Sequence, residues 1–547
     1  MKPPLVAAAI AVLTLISFFQ FPGHTWVQQD SQIYAAILEH LRDPSVLRND
    51  MLVVRPHVSF TIYDEVAIAL RDFTGLGFRE VLGAQQLFTR ALGIWGVYLM
   101  ATAAGLAAGP ALLAAAALAL GTLVGGPTVL TWEYEPTPRG FAVPLLLFAI
   151  GLVAHRRDLW AGVAASLAFL IHPPTVYPFW AVYFLLALWP TRPDVMRQRF
   201  YGLIPLLCAT LLLLAASRHQ AGAGEAQIFF QGLAPEQEKL QRLRASYVWV
   251  STWTRTWMPQ YLVLLALAGL GWWRLRGKAP VDLRFFLAGL PVIGALSVPL
   301  SWLLLERIKW ALIPQFQPAR ALLFLVVVAL FAAAVMAARA AAEGRWAQAF
   351  LLLIPVFLLP ANGQLLAIPS WERAAVVAGL AALATAALRA DALKRRWAPA
   401  ALATAALAGF FAIPALARVQ NHPRLHTPEL AQLSAWARAG TGQDAVFLFA
   451  DAGYGAAPGI FRVDALRAIY VDWKGGGQVN YLRQLGDLWW ERWQAVNMGK
   501  FRTWNVSKYG PLGIDYMVVG TKNRLANRKP VFENREYVVY RLRAPRP

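Results

Sequence analysis

The sequence predicts a mainly α-helical protein: a polytopic bundle of about 13 transmembrane helices followed by a C-terminal extracytoplasmic α/β domain. Of the 547 residues, 58% are hydrophobic and only 15% are charged, whereas soluble domains average about 45–50% and about 25%. The apolar residues form long runs of Leu, Ala, Val and Phe, and polar residues return from residue 420 onward. This composition excludes a disordered, fibrous or disulfide-stabilised secreted protein, and the single cysteine, Cys208, cannot form an intrachain disulfide.

The transmembrane helices are predicted from the length of the apolar runs. A hydrocarbon core about 30 Å thick requires roughly 20 apolar residues of helix. One stretch, from Trp160 to Trp189, is too long for a single helix, and Pro173 and Pro174 divide it because proline lacks a backbone donor and disfavours helix in the residue before it. The predicted spans are 4–21, 82–106, 110–130, 140–154, 158–171, 174–190, 200–217, 259–273, 285–305, 319–338, 346–360, 372–388 and 398–416.

The charges of the short loops predict the orientation of these spans. The chain has 51 Lys and Arg and 30 Asp and Glu, which gives a formal net charge of +21. Short alternate loops between the predicted spans carry clusters of basic residues on the same side as Lys2: Arg156-Arg157, Arg192/Arg197/Arg199, Arg274/Arg276/Lys278/Arg284, Arg339/Arg345 and Arg389/Lys394/Arg395/Arg396. Positively charged loops stay in the cytoplasm, so the N-terminus is predicted to be cytoplasmic. The charge therefore reflects membrane topology rather than nucleic-acid binding.

The remaining segments are predicted to face outward. The bundle comprises residues 1–417, with outer loops at 22–81, 126–139, 218–258 and 305–318, and the soluble domain comprises 418–547. The first outer loop contains two amphipathic stretches, 29–42 and 58–73, whose apolar residues recur at helical spacing. In the C-terminal domain, helices at 428–438 and 479–498 alternate with strands at 444–449, 514–519 and 537–542, which is typical of an α/β layer structure.

Two outer loops contain acidic residues that require an explanation. Asp30 follows the first span, where a carboxylate can act as a general base or cap the next helix. Glu133, Glu135 and Arg139 lie among aromatic residues in the loop after the third span. They can hold a metal or an anionic head group, or belong to an interfacial loop in which Pro138 begins a helix.

Three basic residues are further candidates. Arg90 falls inside a predicted span, where a charge costs at least about 2.5–3.5 kcal/mol, so it must face a partner or an aqueous cavity. Arg320, at the outer edge of its span, can snorkel to the interface or bind phosphate. His172, before two prolines, is either a helix-end cap or a ligand.

The sequence lacks the common nucleotide and zinc motifs. It has no GxxxxGK[ST] loop, no GxGxxG after a strand, no HExxH and no CxxC pair. Gly475-Gly476-Gly477, after Lys474, is interpreted as a flexible turn rather than a phosphate loop. No nucleotide cofactor and no nucleic-acid partner are therefore predicted.

With these residues placed, the chain resembles the GT-C superfamily of integral-membrane glycosyltransferases, which includes protein O-mannosyltransferases, lipid A aminoarabinose transferases and oligosaccharyltransferases. Asp30 occupies the position of the acidic residue in their first outer loop, and Glu133 and Glu135 stand where a second acidic site is frequent. The His172-Pro173-Pro174 turn resembles that of several bacterial members. One departure is that Asp30 is followed by Ser31, and not by the acidic neighbour that many members have. Further segments that resemble bacterial relatives are Leu433–Arg438, Asp444–Phe447, Phe461-Arg462, Arg467 and Val471–Lys474.

The resemblance implies sugar transfer in the bacterial inner (plasma) membrane. A polyprenyl-phosphate-linked sugar would be the donor, and a glycan, lipid or protein on the extracytoplasmic face would be the acceptor. Asp30 would be the general base, a divalent cation such as Mg or Mn would be held by Glu133 or Glu135, and the phosphate-binding or substrate-binding candidates would be Arg90, Arg139, His172 and Arg320.

Three alternatives remain open. A lipid-linked sugar transporter or flippase also places charges inside a bundle, although the sequence lacks the internal repeats usual for transporters. An O-antigen-ligase-like transferase would rely on arginine and histidine, for which Arg90 and His172 are candidates. An inactive scaffold would use only the soluble domain to recruit partners.

Overall fold

The computed structural model describes residues 1–54, 61–220, 230–255, 257–358, 403–404, 407–412, 426–496, 501–503 and 506–543. Within these ranges the chain is mainly helical. Three helices are long and apolar enough to cross a membrane: Pro193–Ser217, Val281–Arg307 and Ile313–Ala342. The predicted span at 372–388 lies outside the described residues, and most of the one at 398–416 does too.

The helices of the first part of the chain follow the predicted order. They are α1 (Pro3–Phe19), α2 (Ser31–Arg42), α3 (Met51–Val54), α4 (Tyr63–Thr74), α5 (Phe78–Ala103), α6 (Ala108–Ala119), α7 (Pro138–Ala154), α8 (Asp158–Ile171), α9 (Pro173–Leu188), α10 (Pro193–Tyr201), α11 (Ile204–Gln220), α12 (Pro235–Arg244), α13 (Trp257–Leu275), α14 (Val281–Ser301), α15 (Ile313–Phe316), α16 (Leu322–Ala342) and α17 (Trp346–Leu358). A π-helical segment, Trp302–Arg307, extends α14. The division of the long apolar stretch at His172 and Pro173 agrees with the prediction.

The bundle is organised around α16. Almost every residue of α16 is buried, and it packs against α6, α13, α14 and α17. A helix that is hydrophobic on all sides belongs in the centre of a bundle. The apolar helical stretch Pro193–Ser217, which comprises α10 and most of α11, lies at the periphery instead. Only 17% of the residues in its most apolar part are buried. Its outward side chains, such as Leu207, Leu211 and Leu214, are suited to contact with lipid.

The structure differs from the prediction in the third span. The apolar run from 110 to 130 predicts one helix, but α6 ends at Ala119. Gly121 and Gly126 have φ angles of 67° and 81°, in the left-handed region that favours glycine. The chain turns there into an antiparallel pair of short strands, β1 (Leu123–Val124) and β2 (Val129–Leu130). The apolar run continues through the hairpin because residues 121–131 contain no charged side chain, so hydropathy alone does not show this break.

What we call the outer segment after α1 is the predicted loop 22–81, and it contains the two predicted amphipathic helices, α2 and α4. Ile33 and Ile37 of α2 pack with Leu47 and Leu52, near α3. Leu38, on another side of α2, packs with Tyr63 at the start of α4. Apolar contacts on two sides of α2 therefore hold this helix in place.

Residues 426–543 contain what we call the C-terminal α/β unit. Its helices are α18 (Pro428–Gly440), α19 (Ala457–Ala465), α20 (Arg483–Ala495) and α21 (Val506–Tyr509), and its strands are β3 (Val446–Phe449), β4 (Ala468–Ile469), β5 (Tyr516–Gly520), β6 (Phe532–Glu533) and β7 (Tyr537–Arg541). The strand order is β4-β3-β5-β7-β6; β3 is parallel to β4 and β5, and β7 is antiparallel to β5 and β6.

Both faces of this sheet are covered. Phe447 and Phe449 of β3 pack with helices α18 and α19, whereas Leu448 packs with Trp489 of α20. The strand is therefore a continuous hydrophobic run, as expected where helices cover both faces. The unit also contacts the outer segment after α1, since α2 packs against α19.

Candidate active site

A cavity of about 580 Å³ lies where the predicted outer loops meet the C-terminal α/β unit. Its wall combines apolar side chains, such as Phe21, Ile33 and Leu130, with charged ones. Six of the seven residues singled out in the sequence line it: Asp30, Glu133, Glu135, Arg139, His172 and Arg320. The seventh, Arg90, does not. The chain thus brings residues from distant loops to one concave site, which is where ligands bind in most proteins.

Asp30 is the N-cap residue of α2, but its side chain makes no capping hydrogen bond. Glu135, from another loop, holds the chain just before this helix: its carboxylate accepts the backbone N–H of Gln29 at 2.6 Å and that of Asp30 at 2.8 Å. It also accepts the Ser31 hydroxyl at 2.6 Å. A negative group is stabilised at a helix N-terminus by the unpaired N–H groups and the helix dipole. Because the side chain of Asp30 does not cap the helix, its carboxylate is available to the cavity.

The carboxylate of Asp30 is 51% exposed and forms an ion pair with Lys474, whose Nζ lies 3.0 Å from Oδ1. Lys474 holds the pKa of Asp30 well below its usual range, and Arg139 and Arg320 add to the effect against the opposing influence of burial. The neighbouring Glu135 behaves in the opposite way, since burial and the charge of Asp30 raise its pKa to about 7. Two carboxyl groups in one site thus differ in their affinity for a proton.

The second glutamate of this loop, Glu133, is paired within its own loop. Nε and Nη2 of Arg139 lie 2.7 Å and 2.6 Å from its Oε1. With Glu135 occupied by the α2 N-terminus, both predicted metal ligands already have strong hydrogen-bond partners. The part of the chain that the structure describes has no group of three His, Cys, Asp or Glu able to hold a metal ion. Glu133 and Glu135 therefore do not fit a divalent-metal site, and no metal step is built on them.

Two further arginines face the cavity. The Nε atom of Arg320 is buried and has no hydrogen-bond partner among the described residues, and its guanidinium lies 5.4 Å from the ring centroid of Tyr247. The Nε of Arg244 donates to the carbonyl of Trp473 at 2.9 Å, and its guanidinium lies over the Trp473 ring. Both arginines line the cavity, where their positive charge can attract an anion.

Arg90 and His172 have local partners. Arg90 is 1% exposed and donates to the carbonyls of Ser17 and Glu133, each at 2.6 Å. It fastens the Glu133 loop to the end of α1 from behind the cavity, which explains how the bundle tolerates a buried arginine. His172 lines the cavity, and its Nδ1 lies 2.8 Å from the Thr175 hydroxyl at the start of α9.

The sequence did not indicate four other residues of the wall: Arg244, Tyr247, Lys474 and Tyr481. Burial raises the pKa of Tyr481 to about 12, so its hydroxyl keeps its proton at neutral pH. In the sequence, only the position of Lys474 directly before the glycine run at 475–477 could have pointed to one of these four residues. The structure shows a short 3-10 helix, Lys474–Asn480, and not the flexible turn that the run predicts.

No family model matches this chain, and no curated protein matches it. The chain is similar in structure to ArnT from Cupriavidus metallidurans bound to undecaprenyl phosphate, at 14% identity and a TM-score of 0.48, over 100% of both chains. It is similar to the arabinofuranosyltransferase AftD from Mycobacteria, at 15% identity and a TM-score of 0.47, over 100% of this chain and 40% of that one. It is also similar to the archaeal oligosaccharyltransferase AglB from Archaeoglobus fulgidus in complex with an inhibitory peptide and a dolichol-phosphate. That similarity covers 94% of this chain and 69% of that one, at 13% identity and a TM-score of 0.37.

These three proteins are membrane glycosyltransferases of the GT-C superfamily, the one that the sequence resembles. The identities are low, and the function proposed below rests on the cavity and its residues.

Proposed function

We propose that this protein is an integral-membrane glycosyltransferase that moves a sugar from a polyprenyl-phosphate-linked donor to an acceptor, with Asp30 as the general base. The observation that carries the proposal is the cavity of about 580 Å³, where the half-exposed Asp30 faces Arg139, Arg320 and Lys474 beside apolar walls. This combination suits a ligand that has both an anionic head and a hydrocarbon chain.

The chemistry follows from the charges. An acceptor hydroxyl or amide is a poor nucleophile until a carboxylate accepts its proton. The bond from the anomeric carbon to the phosphate oxygen breaks as the new glycosidic bond forms, and its electron pair leaves with the phosphate. Guanidinium groups in a partly desolvated cavity stabilise that growing negative charge. Arg320 is the best placed of them, because its buried Nε lacks a protein partner among the described residues.

The predicted topology belongs to the same proposal. The chain would form about 13 spans over residues 1–417, with the N-terminus in the cytoplasm of a bacterial cell and residues 418–547 as an extracytoplasmic domain. Three helices with the length and composition of membrane spans support the membrane location. Most cavity residues lie at helix ends, in the predicted outer loops or in the C-terminal α/β unit, which supports an outward-facing site.

Transfer by purified protein in proteoliposomes tests the proposal. Wild-type protein would receive a panel of polyprenyl-phosphate-linked pentoses and hexoses with labelled sugars, together with bacterial envelope acceptors. Removing a general base typically lowers the rate by about 10²- to 10⁴-fold. We expect such a loss in Asp30→Asn, while binding of undecaprenyl phosphate persists.

The matched control is Asp72→Asn. Asp72 lies in the same outer segment, is 60% exposed and pairs only loosely with Arg42, at 3.6 Å. Near-normal transfer by Asp30→Asn would remove Asp30 from the mechanism. Transfer that survives this change but is lost in His172→Ala would favour the O-antigen-ligase-like alternative, and movement of the donor without product would favour a flippase.

A further inference from the structure

A segment of the C-terminal α/β unit, Lys474–Tyr481, forms part of the cavity wall. Lys474 reaches Asp30, 444 residues away in the sequence. At the other end of the segment, the hydroxyl of Tyr481 accepts a hydrogen bond from Nε2 of Gln317 at 3.1 Å. The segment therefore spans from the start of α2 to the loop before α16, and the site is incomplete without the C-terminal unit.

The backbone around Lys474 is held firmly. The carboxylate of Asp472 accepts the Gly475 N–H at 3.3 Å and Nη2 of Arg462 at 2.7 Å. The indole N–H of Trp489 donates to the Asp472 carbonyl at 2.8 Å. Gly476 lies so close to this indole that a Cβ there would meet it at 2.5 Å, so only glycine fits. The mobile part of Lys474 is thus its four-carbon side chain, which carries a compact charge with three donors.

The pairing of Lys474 with Asp30 creates a conflict with catalysis. A carboxylate held by an ammonium group at 3.0 Å is a weak proton acceptor, whereas a general base works best when its pKa is close to the operating pH. The same cavity holds Arg139, Arg244 and Arg320, which attract the phosphate of the proposed donor. A phosphate bound among them would place a second anion within reach of the Lys474 side chain.

We propose that Lys474 is an exchangeable counter-ion that leaves Asp30 and binds the donor phosphate when the donor enters the cavity. This inference rests on the proposed function. Lys474 stays protonated throughout. Once it has moved, Asp30 accepts the proton of the acceptor, the acceptor atom bonds to the anomeric carbon, and the phosphate leaves with the electron pair while Lys474 stabilises its charge. The base is therefore released only when a donor is present.

The experiment compares the affinities of each variant for undecaprenyl phosphate and for the uncharged alcohol undecaprenol in nanodiscs. The dissociation constant for undecaprenol divided by that for undecaprenyl phosphate gives the contribution of the phosphate group, and this quotient is the ratio compared among variants. Hydrogen bonds between charged groups are strong enough that losing one weakens binding about tenfold or more. We expect Lys474→Gln to lower the wild-type ratio about tenfold and Lys474→Arg to retain most of it. Lys529→Gln, which removes an exposed charge from the same unit, should leave the ratio unchanged.

Asp30→Asn provides a second, independent arm. If the carboxylate competes with phosphate for Lys474, removing its charge should tighten binding of undecaprenyl phosphate several-fold. The gain should be smaller in a Lys474→Gln background, because coupled residues give non-additive effects in a double-mutant cycle. If Lys474→Gln does not fold, unchanged or weaker phosphate binding by Asp30→Asn still overturns the exchange.

The outcomes separate the two proposals. If wild-type protein binds the phosphate and the alcohol equally, the proposed function fails. If wild type prefers the phosphate, but the Lys474→Gln ratio equals that of wild type, only the counter-ion exchange is overturned. Unchanged or weaker phosphate binding by Asp30→Asn overturns the exchange in the same way.

Discussion

Two ion clusters join the outer segment after α1 to the C-terminal α/β unit, and they differ in their surroundings. In the first, Arg462 is fully buried between Asp50 at 2.6 Å and Asp472 at 2.7 Å. In the second, Lys474 pairs with the half-exposed Asp30 at the wall of the cavity. The first cluster is almost completely buried, whereas the second lines a cavity of about 580 Å³. The same type of charge pair therefore serves as a structural connection in one place and as part of a binding site in the other.

The buried cluster also explains why the exposed one is positioned well. Asp50 accepts the backbone N–H of Ile469 at 2.9 Å, so the outer segment is fixed to strand β4. Asp472, two residues before Lys474, is fixed by the same arginine. The buried charges thus set the distance between Asp30 and the segment that carries Lys474.

Removing the buried charge should have the largest effect on stability. In Arg462→Met, Asp50 and Asp472 remain buried without their partner. Breaking a buried pair in this way costs about 3–5 kcal/mol. We expect a corresponding fall in the free energy of unfolding, measured by denaturant unfolding in detergent, with Lys529→Gln as the control. A loss below about 1 kcal/mol, the range of exposed pairs, would contradict the distinction between the clusters.

The pH dependence of stability sharpens the comparison at Glu135. Its ordinary pKa of 4.5 is raised to about 7 in the folded state. Between these values the folded protein binds a proton at Glu135 that the unfolded chain does not bind. The free energy of unfolding should therefore decrease as the pH rises from 4.5 to 7, by about 1–3 kcal/mol relative to Glu135→Gln.

The measurement is the difference in unfolding free energy between wild type and Glu135→Gln at several pH values in that window. Other titrating groups contribute equally to both proteins, so the difference isolates Glu135. If the unfolding free energies of the two proteins change in parallel with pH, the pKa of Glu135 in the folded protein is the ordinary one, which would contradict the prediction.

The smallest effect on stability is expected at the cavity. An ion pair that is open to solvent contributes about 0–1 kcal/mol, so Lys474→Gln should unfold within about 1 kcal/mol of wild type. Denaturant unfolding of the empty protein checks this expectation. A loss as large as that of Arg462→Met would mean that Lys474 is a structural residue, and the contrast between the two clusters would disappear.

Much of the site could be predicted from the sequence, for a simple reason. Asp30, Glu135, His172 and Arg320 lie near the ends of helices, and the topology predicted from the sequence puts these ends on one side of the membrane. The sequence also indicated that Arg90 needs a partner, although its partners are backbone carbonyls, which no side-chain pattern reveals.

The remainder depends on contacts that the sequence does not encode locally. Lys474 faces Asp30 only because the C-terminal unit docks on α2, across 444 residues. The alternative role of Asp30 as a helix cap is not seen, because its side chain makes no capping hydrogen bond; Glu135, 105 residues away in the sequence, accepts the backbone N–H of Asp30 instead. The third predicted span was too long because Gly121 and Gly126 turn the chain within an apolar run.

The central claim is that this cavity binds the phosphate of a lipid-linked donor beside Asp30. The most direct test is an experimental structure of the wild-type protein in nanodiscs with undecaprenyl phosphate. The account predicts density for the phosphate inside the cavity, with Nζ of Lys474 and the guanidinium of Arg320 at about 2.7–2.9 Å from its oxygens, and Lys474 separated from Asp30. A phosphate outside the cavity, or an Asp30–Lys474 pair left intact beside it, would contradict the account.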